Sequence, residues 1–239
     1  MIAILRKELR QFFSGLLGII SIGLFLLITG VFVFILPETG ILESGYASLD
    51  SFFQSVPFIM LFLIPAITMK SFSEEYRSGT YELLRTAPVS IAGIVLGKFF
   101  ASLLVSIISL LGTLFYVFSL DALSVDGIDT GAMLGSYIGL ILLCAVYVSI
   151  GLFTSSIQSN SVISFLLSAL LCFIFYSLFS SLAEIEGWKT SIGYYVSLVG
   201  IQSHYENISK GNIDTRDVVY FISAVSLFIY LTILNIKSK

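Results

Sequence analysis

Six long apolar stretches constrain this chain more than any other feature of its sequence. Each holds 18 or more mostly apolar residues, and a helix needs about 20 to cross the ~30 Å hydrocarbon core of a bilayer. The runs show no sustained alternation of apolar and polar residues, as barrel strands of about ten residues would require. Because lipid offers no hydrogen-bond partners to a backbone, helices are the remaining choice. The six predicted spans are residues 16–36, 52–69, 90–120, 131–153, 160–182 and 217–236.

The charge content supports lipid as the main solvent of the chain. Only 11% of the residues are charged and 57% are hydrophobic, whereas a soluble domain typically carries about 25% charged residues. The sequence therefore predicts an all-α integral membrane protein, with residues 1–239 forming one transmembrane domain. Cys144 and Cys172 both fall inside apolar spans, where a thiol is typical of a small core side chain rather than of a disulfide or metal site.

The basic residues are distributed unevenly between the two sides of the predicted bundle. Nine of the 12 lie on the side of the N-terminus, the 70–90 connection and the C-terminus, whereas 11 of the 15 acidic residues lie on the opposite side. Lysine and arginine are enriched in cytoplasmic loops. We therefore expect a multi-pass membrane protein with both termini in the cytoplasm. The family resemblance described below implies that the membrane is the bacterial inner membrane. The nine are Arg6, Lys7, Arg10, Lys70, Arg77, Arg85, Lys98, Lys237 and Lys239.

Residues 1–14 form an amphipathic pattern. Leu5, Leu9 and Phe12 recur near helical spacing, and Arg6 and Arg10 lie between them on the opposite face. Such a helix can lie along the inner leaflet with its basic face toward anionic headgroups. We therefore predict an interfacial helix, and the alternative is a basic flank that only sets the topology of the first span.

The 70–90 connection carries several signals for a short helical element. Ser71 followed by Glu74 matches a capping box, which predicts a helix start. Gly79 permits a bend, Pro88 ends the element, and Ser90 can cap the third span. These signals predict a charged cytoplasmic hairpin between the second and third spans.

Apolar and aromatic side chains are concentrated within that hairpin. Tyr76, Tyr81, Leu83 and Leu84 lie close together among charged residues. Exposed apolar groups surrounded by charge are typical of a surface that docks into a partner's groove. The alternative is a solvated loop, which would not need these side chains.

Catalytic and nucleotide-binding patterns are missing from the sequence. No paired acidic or basic residues lie in the middle of a span, where proton-coupled transporters and intramembrane enzymes hold them. The run from Gly93 to Lys98 has only three residues between its glycines, and Phe99 follows, so it does not match a Walker A loop. We expect no catalytic residue, metal or cofactor on this chain.

For Lys98 and His204 the sequence predicts positions without a special functional role. Lys98 lies near the start of a third span that is longer than the membrane requires, so we expect it to sit outside the hydrocarbon core or to snorkel toward water. His204 has no metal-ligating neighbour at close spacing, so we expect a surface or interface residue rather than a ligand.

The stretch from 74 to 98 resembles the coupling segment of type-2 ABC exporter permeases. The family pattern has an acidic pair, Gly-Thr, an acidic residue with Leu-Leu, then Pro, Ser and Gly-Lys. The likeness extends to the amphipathic start, the six spans and the run 204–221, and so covers the whole chain. A narrower likeness is to the permeases of gliding-motility ABC systems. The matching residues are Glu74, Glu75, Gly79, Thr80, Glu82, Leu83, Leu84, Pro88, Ser90, Gly97 and Lys98.

The resemblance implies a permease subunit that exports a substrate, or does mechanical work, with ATP hydrolysed on a separate cytoplasmic subunit that holds ATP and magnesium. The implied partners are that ATPase, a second permease copy or a different membrane subunit, and membrane lipids, but not nucleic acid. Residues 183–216 would form extracytoplasmic re-entrant or surface helices. The expected ATPase contacts are Glu74, Glu75, Tyr76, Arg77, Gly79, Thr80, Glu82 and Leu83. The expected interfacial-helix residues are Leu5, Arg6, Leu9, Arg10 and Phe12.

Two other functions remain open from the sequence. An intramembrane enzyme would need catalytic acids or histidines on its spans. A scaffold or channel without an ATPase would have a dispensable 70–90 segment. A gene for a Walker-motif protein next to the gene for this chain would favour the ABC permease.

Overall fold

The computed structural model describes residues 1–35, 49–82, 89–122, 130–183 and 192–238. All the regular elements in these ranges are helices, which confirms the prediction of an all-α membrane protein. The first part of the chain forms α1 (Ile2–Ser14), α2 (Leu16–Phe34), α3 (Asp50–Thr68), α4 (Ser73–Ser78), α5 (Ile91–Gly112) and α6 (Leu114–Asp121). The second part forms α7 (Thr130–Ile157), α8 (Ser161–Phe173), a π-helical turn (Ile174–Leu178), α9 (Phe179–Ala183), α10 (Ile192–Ser197), α11 (Ile201–Ser209) and α12 (Thr215–Ser238).

The spans coincide closely with the apolar stretches of the sequence. Five helical stretches in the described residues are long and apolar enough to cross a membrane, and the bent pair of α1 and α2 makes a sixth if it is counted as one span. The bend is 69°, and the chain turns at Gly15, whose backbone is extended. Thus α2 can cross the bilayer while α1 lies at a steep angle to α2, which is the arrangement that an interfacial helix requires.

Helix α7 occupies the centre of the bundle. It packs against α3, α5, α8, α11 and α12, and Leu140, Leu143 and Tyr147 on it are completely buried. Its contact with α3 is very close, because a Cβ on Gly151 would lie 2.0 Å from Thr68 Oγ1. A glycine at this position lets two helix backbones approach in lipid, where close packing has to replace the hydrophobic effect between helices.

Hydrogen bonds between distant segments define the two ends of the bundle. At one end, which we call the Lys98 end, Asn235 Nδ2 donates to the carbonyl of Ser156 over 2.9 Å, and α1 packs on the start of α5. At the other, the His204 end, the hydroxyl of Tyr205 donates to the carbonyl of Phe53 over 2.7 Å. Residues 1–14, 70–82 and 235–238 therefore share the Lys98 end.

Two of the long spans are interrupted. The third changes from α5 to α6 at Thr113, and the fifth contains the π-helical turn. Such turns are rare and occur mostly as single insertions in α-helices. Here the turn places Tyr176 in the core, with its ring centroid 6.4 Å from that of Tyr147 and 6.5 Å from that of Tyr205.

Candidate functional site at the Lys98 end

Lys98 is a buried charge. Only 1% of its side chain is exposed, so the prediction that it snorkels toward water is wrong. A buried ammonium is costly unless it is paired and hydrogen-bonded. The neighbouring segments supply these partners, because the side chain points into the junction of α1, α3 and α4.

Three acceptors surround the Lys98 ammonium. Its Nζ lies 2.9 Å from Glu8 Oε1 on α1, 2.8 Å from Glu75 Oε1 on α4 and 2.6 Å from the carbonyl oxygen of Ser71. A lysine ammonium has three N–H donors, so all three are used. The ring of Phe72 adds a cation–π contact at 4.9 Å. One side chain thus joins α1, the third span and the segment after the second span.

Lys7 completes what we call the Lys98 cluster, which consists of Lys7, Glu8, Glu75 and Lys98. The Lys7 ammonium lies 3.1 Å from Glu75 Oε1 and 3.5 Å from Glu8 Oε1, so two cations balance two carboxylates. Partial burial lowers the pKa of Lys7, but the charges of Glu75 and Glu8 outweigh this and leave the pKa above its ordinary value. Glu75 Oε2 is buried and has no hydrogen-bond partner among the described residues.

The pair Gly97-Lys98 has a structural explanation in this cluster. A Cβ on Gly97 would lie 3.1 Å from Ile4 Cβ and 3.1 Å from the carbonyl oxygen of Met1, so a glycine lets α1 lie directly on α5. That contact brings Glu8, one helical turn after the buried Ile4, within reach of Lys98. In the sequence, the signal for this contact is Glu8 itself, because a carboxylate on the packed face of an amphipathic helix requires a partner.

The predicted capping box at Ser71 and Glu74 is wrong. Helix α4 begins at Ser73, and its N-cap, Phe72, forms no side-chain capping bond. Instead the backbone N–H groups of Phe72 and Ser73 donate to Ser155 Oγ, over 2.9 Å and 3.2 Å. The cap is therefore supplied by α7, more than 80 positions away, and the Ser71 carbonyl is used by Lys98. The predicted cap at Ser90 is confirmed, because its hydroxyl accepts from the N–H of Gly93.

Gly79 ends α4 in a left-handed conformation, with φ of 70°. This conformation is the usual helix C-cap and strongly favours glycine. Thr80 follows, and its hydroxyl lies 2.8 Å from that of Ser78. The bend predicted at Gly79 is confirmed, and it leaves Arg77, Ser78 and Thr80 exposed at the tip of the Lys98 end.

The predicted ATPase-contact residues separate into an outward set and an inward set. Glu75 is only 8% exposed and belongs to the Lys98 cluster. Tyr76 is half-buried and packs edge-to-face on Tyr81, with ring centroids 4.8 Å apart. Leu83, Leu84 and Pro88 lie outside the described residues. The outward set, all exposed, is Glu74, Arg77, Gly79, Thr80 and Glu82.

The segment Ser73–Glu82 contacts three other spans in addition to the cluster. We call it the coupling segment, after the family segment that its sequence resembles. Ser73 Oγ lies 3.0 Å from Ser161 Oγ at the start of α8. The hydroxyl of Tyr81 donates to the carbonyl of Ile236 on α12 over 3.3 Å, and Ser155 caps the segment from α7. These contacts join the segment directly to α5, α7, α8 and α12.

Helix α1 has the two faces that the sequence predicts, although its buried face is centred differently. Arg6 and Arg10 are exposed, and Leu5, Leu9 and Phe12 are half-buried. The one fully buried residue is Ile4, which the periodicity did not single out. The buried face of α1 is therefore the face that packs against α5, with Ile4 at its centre.

At the other end, His204 is buried between α11 and α12, so of the predicted surface or interface position the surface alternative is wrong. Its Nδ1 lies 2.6 Å from Asp217 Oδ1, and its Nε2 lies 2.9 Å from the carbonyl oxygen of Leu198. The ring stacks on Tyr220 at a centroid distance of 4.0 Å. The histidine thus links α11 to α12. No group of three or more metal-ligating side chains occurs in the described parts of the chain.

Comparison with known proteins accounts for this architecture. The model of a family described as ABC-2 family transporter protein matches residues 43–236. The chain belongs to the ABC-2 transporter family. No curated protein is similar enough to count as a match.

The family assignment makes the protein a membrane-spanning permease subunit of an ABC transporter. The matched residues contain the coupling segment, Lys98 and the His204–Asp217 pair, whereas α1 lies before them. Within the permease, the Lys98 cluster therefore connects the family domain to a helix outside the match.

Proposed function

We propose that the permease couples ATP hydrolysis on a separate cytoplasmic ATPase to export, or to mechanical work, across the bacterial inner membrane. In this proposal the Lys98 end faces the cytoplasm, and two permease subunits, identical or different, form the membrane part of the complex. A role in gliding motility is the narrower proposal, supported by the sequence resemblance.

The observation that carries the proposal is the dual character of the coupling segment. Its outward face offers Glu74, Arg77 and Glu82 to a partner, with both signs of charge. Its inward face is fixed by Glu75 to Lys98, and so to α1 and α5. A segment that only joined two spans would need neither the exposed charges nor a buried ion pair. A coupling element needs both, because it must bind a moving partner and transmit the motion.

The two faces have different roles in this proposal. The outward residues form the contact with the ATPase, and charge complementarity there would govern the rate and salt dependence of association. Glu75 and Lys98 act as positioning residues that hold the segment rigidly against the bundle. Variants of the outward face should therefore lose ATPase binding, whereas variants of Glu75 or Lys98 should lose coupling.

The test is co-purification of the permease from native membranes in mild detergent. We expect a Walker-motif ATPase at a ratio near one to one, and its loss in the double charge reversal Arg77→Glu/Glu82→Lys. The matched control is Lys210→Glu, an exposed charge at the His204 end, which should retain the ATPase. If no ATPase accompanies the wild-type permease, or if the double reversal retains it in full, the proposal is wrong.

A further inference from the structure

A cleft of about 310 Å³ lies at the Lys98 end, beneath the bend between α1 and α2. Its walls come from α1, α2, α3 and α5, and apolar groups of Phe12, Ala66, Ile67 and Val105 line its depth. The volume falls within the range of about 300–1,000 Å³ that is typical of ligand sites. Gly15 and Gly18 also line the cleft, and a Cβ on Gly18 would lie 2.9 Å from ring carbons of Phe12, so a glycine there lets Phe12 pack against α2.

The mouth of the cleft carries both signs of charge. Lys70 and Glu74 flank it with side chains 44% and 49% exposed, and their charged atoms are 3.9 Å apart. Gln11 and Glu8 line the same mouth, and a second, polar space of about 600 Å³ opens beside it along these four residues. Because an exposed pair at this separation is only weakly bound, both the ammonium and the carboxylate remain able to bind a ligand.

The positions of these residues match the depth profile of a membrane. Lys70 follows the end of α3, and Gln11 lies on α1, the predicted interfacial helix, so we place the mouth at the level of the headgroups. Ala66 is one helical turn deeper than Lys70, about 6 Å along the helix. The cleft therefore runs from a charged surface into hydrocarbon, and it suits a molecule with a charged head and an apolar tail.

We propose that this cleft binds one molecule of a phospholipid whose head combines a phosphate with a primary ammonium, as phosphatidylethanolamine does. The phosphate contacts Lys70 and Gln11, the ammonium contacts Glu74 and Glu8, and one acyl chain fills the apolar depth. A primary ammonium has N–H groups to donate to carboxylates, and a choline head has none. A purely anionic head would face two carboxylates of like charge.

The proposal gives the permease a lipid that joins α1 to α3. Of the outward residues, Glu74 then binds the lipid head, and Arg77 and Glu82 remain to contact the ATPase. Binding to the folded state alone would stabilise the protein in proportion to the logarithm of the lipid concentration. The site requires no ATP, no partner subunit and no particular substrate, so its test remains valid whatever the permease exports.

The test uses the purified full-length permease in mild detergent, with native mass spectrometry and thermal unfolding. Phosphatidylethanolamine, phosphatidylcholine and phosphatidylglycerol with identical acyl chains are added separately. We expect one phosphatidylethanolamine molecule to be retained and to raise the unfolding temperature most. Ala66→Phe, which fills the cleft, should abolish the retention. Leu24→Phe, on the exposed face of α2, is the matched control for general lipid contact and should change nothing.

The head contacts are tested by Lys70→Gln/Glu74→Gln. Exposed ion pairs are worth ~0.2–1 kcal/mol, so loss of these contacts should weaken the lipid by up to about fivefold and reduce the difference between the three lipids. If Ala66→Phe does not fold, this variant still tests the proposal, because the side chains of Lys70 and Glu74 are both exposed. Equal retention of all three lipids, preference for phosphatidylglycerol, or unchanged retention in the folded variants would overturn the proposal.

Discussion

The ammonium of Lys98 lies 2.8 Å from the carboxylate of Glu75, although 23 positions separate them in the chain. The same ammonium binds Glu8, 90 positions away. A single buried cation therefore holds together three segments that the apolar pattern alone leaves unconnected.

Replacing Lys98 by methionine should destabilise the permease by about 3–5 kcal/mol, because it leaves the partly buried carboxylates of Glu8 and Glu75 with only the half-exposed Lys7 as a cation. Thermal unfolding in detergent measures the effect. Lys7→Gln is the matched control, since Lys7 contacts the same carboxylates but its side chain is 51% exposed. It should cost less than about 1 kcal/mol. Equal losses in the two variants would mean that burial of Lys98 contributes nothing.

The contact between α1 and α5 gives a second prediction. Gly97→Val places carbon atoms where Ile4 now lies and should cost about 1–3 kcal/mol through overpacking. Ile4→Ala in the same chain should recover part of that loss, which a double-mutant cycle in thermal unfolding would reveal. Gly23→Ala is the control, because a Cβ there meets nothing within 4 Å. A Gly97→Val variant as stable as the wild type would contradict the packing of α1 on α5.

The His204–Asp217 pair leads to a third prediction, at the other end of the bundle. Both ring nitrogens of His204 face acceptors, so Asp217→Asn should remove a charged partner and cost about 1.5–3 kcal/mol. Asp214→Asn is the control: Asp214 is exposed and its Oδ1 accepts from the N–H of Arg216, a role that asparagine fills equally well. Thermal unfolding again decides, and equal stability of the two variants would show that the buried pair contributes nothing.

Topology is tested by single cysteines at Ser78 and Asn212, which are exposed at opposite ends of the bundle. With an impermeant thiol reagent on intact cells, Asn212→Cys should label and Ser78→Cys should label only after lysis, because the basic residues favour the cytoplasmic side. The native cysteines Cys144 and Cys172 are buried and serve as the unlabelled background. Labelling of Ser78→Cys in intact cells would reverse the orientation.

The spans could be predicted from sequence because their signal is local. Length and hydropathy within one stretch suffice to indicate a helix in lipid, and α2, α3, α7 and α12 begin and end within a few residues of the predicted bounds. The bend at Gly79 and the cap at Ser90 were likewise determined by the residues themselves.

The site could be predicted only in part, because its decisive contacts are distant in sequence. A lysine near a membrane border usually snorkels, and only the packing of α1 against α5 buries Lys98 instead. The amides of Phe72 and Ser73 are capped by Ser155, which no local pattern connects to them. His204 lies 13 positions before Asp217, and their pairing depends on how α11 folds back against α12.

The most direct measurement of the central claim, that the coupling segment binds an ATPase, is site-specific photo-crosslinking in native membranes. A photoreactive phenylalanine analogue at Ser78 should form an ultraviolet-dependent adduct with the Walker-motif ATPase that co-purifies with the permease. The same analogue at Asn212, equally exposed but at the His204 end, should form none. An ATPase that co-purifies but never crosslinks from Ser78, or that crosslinks from Asn212, would contradict the account.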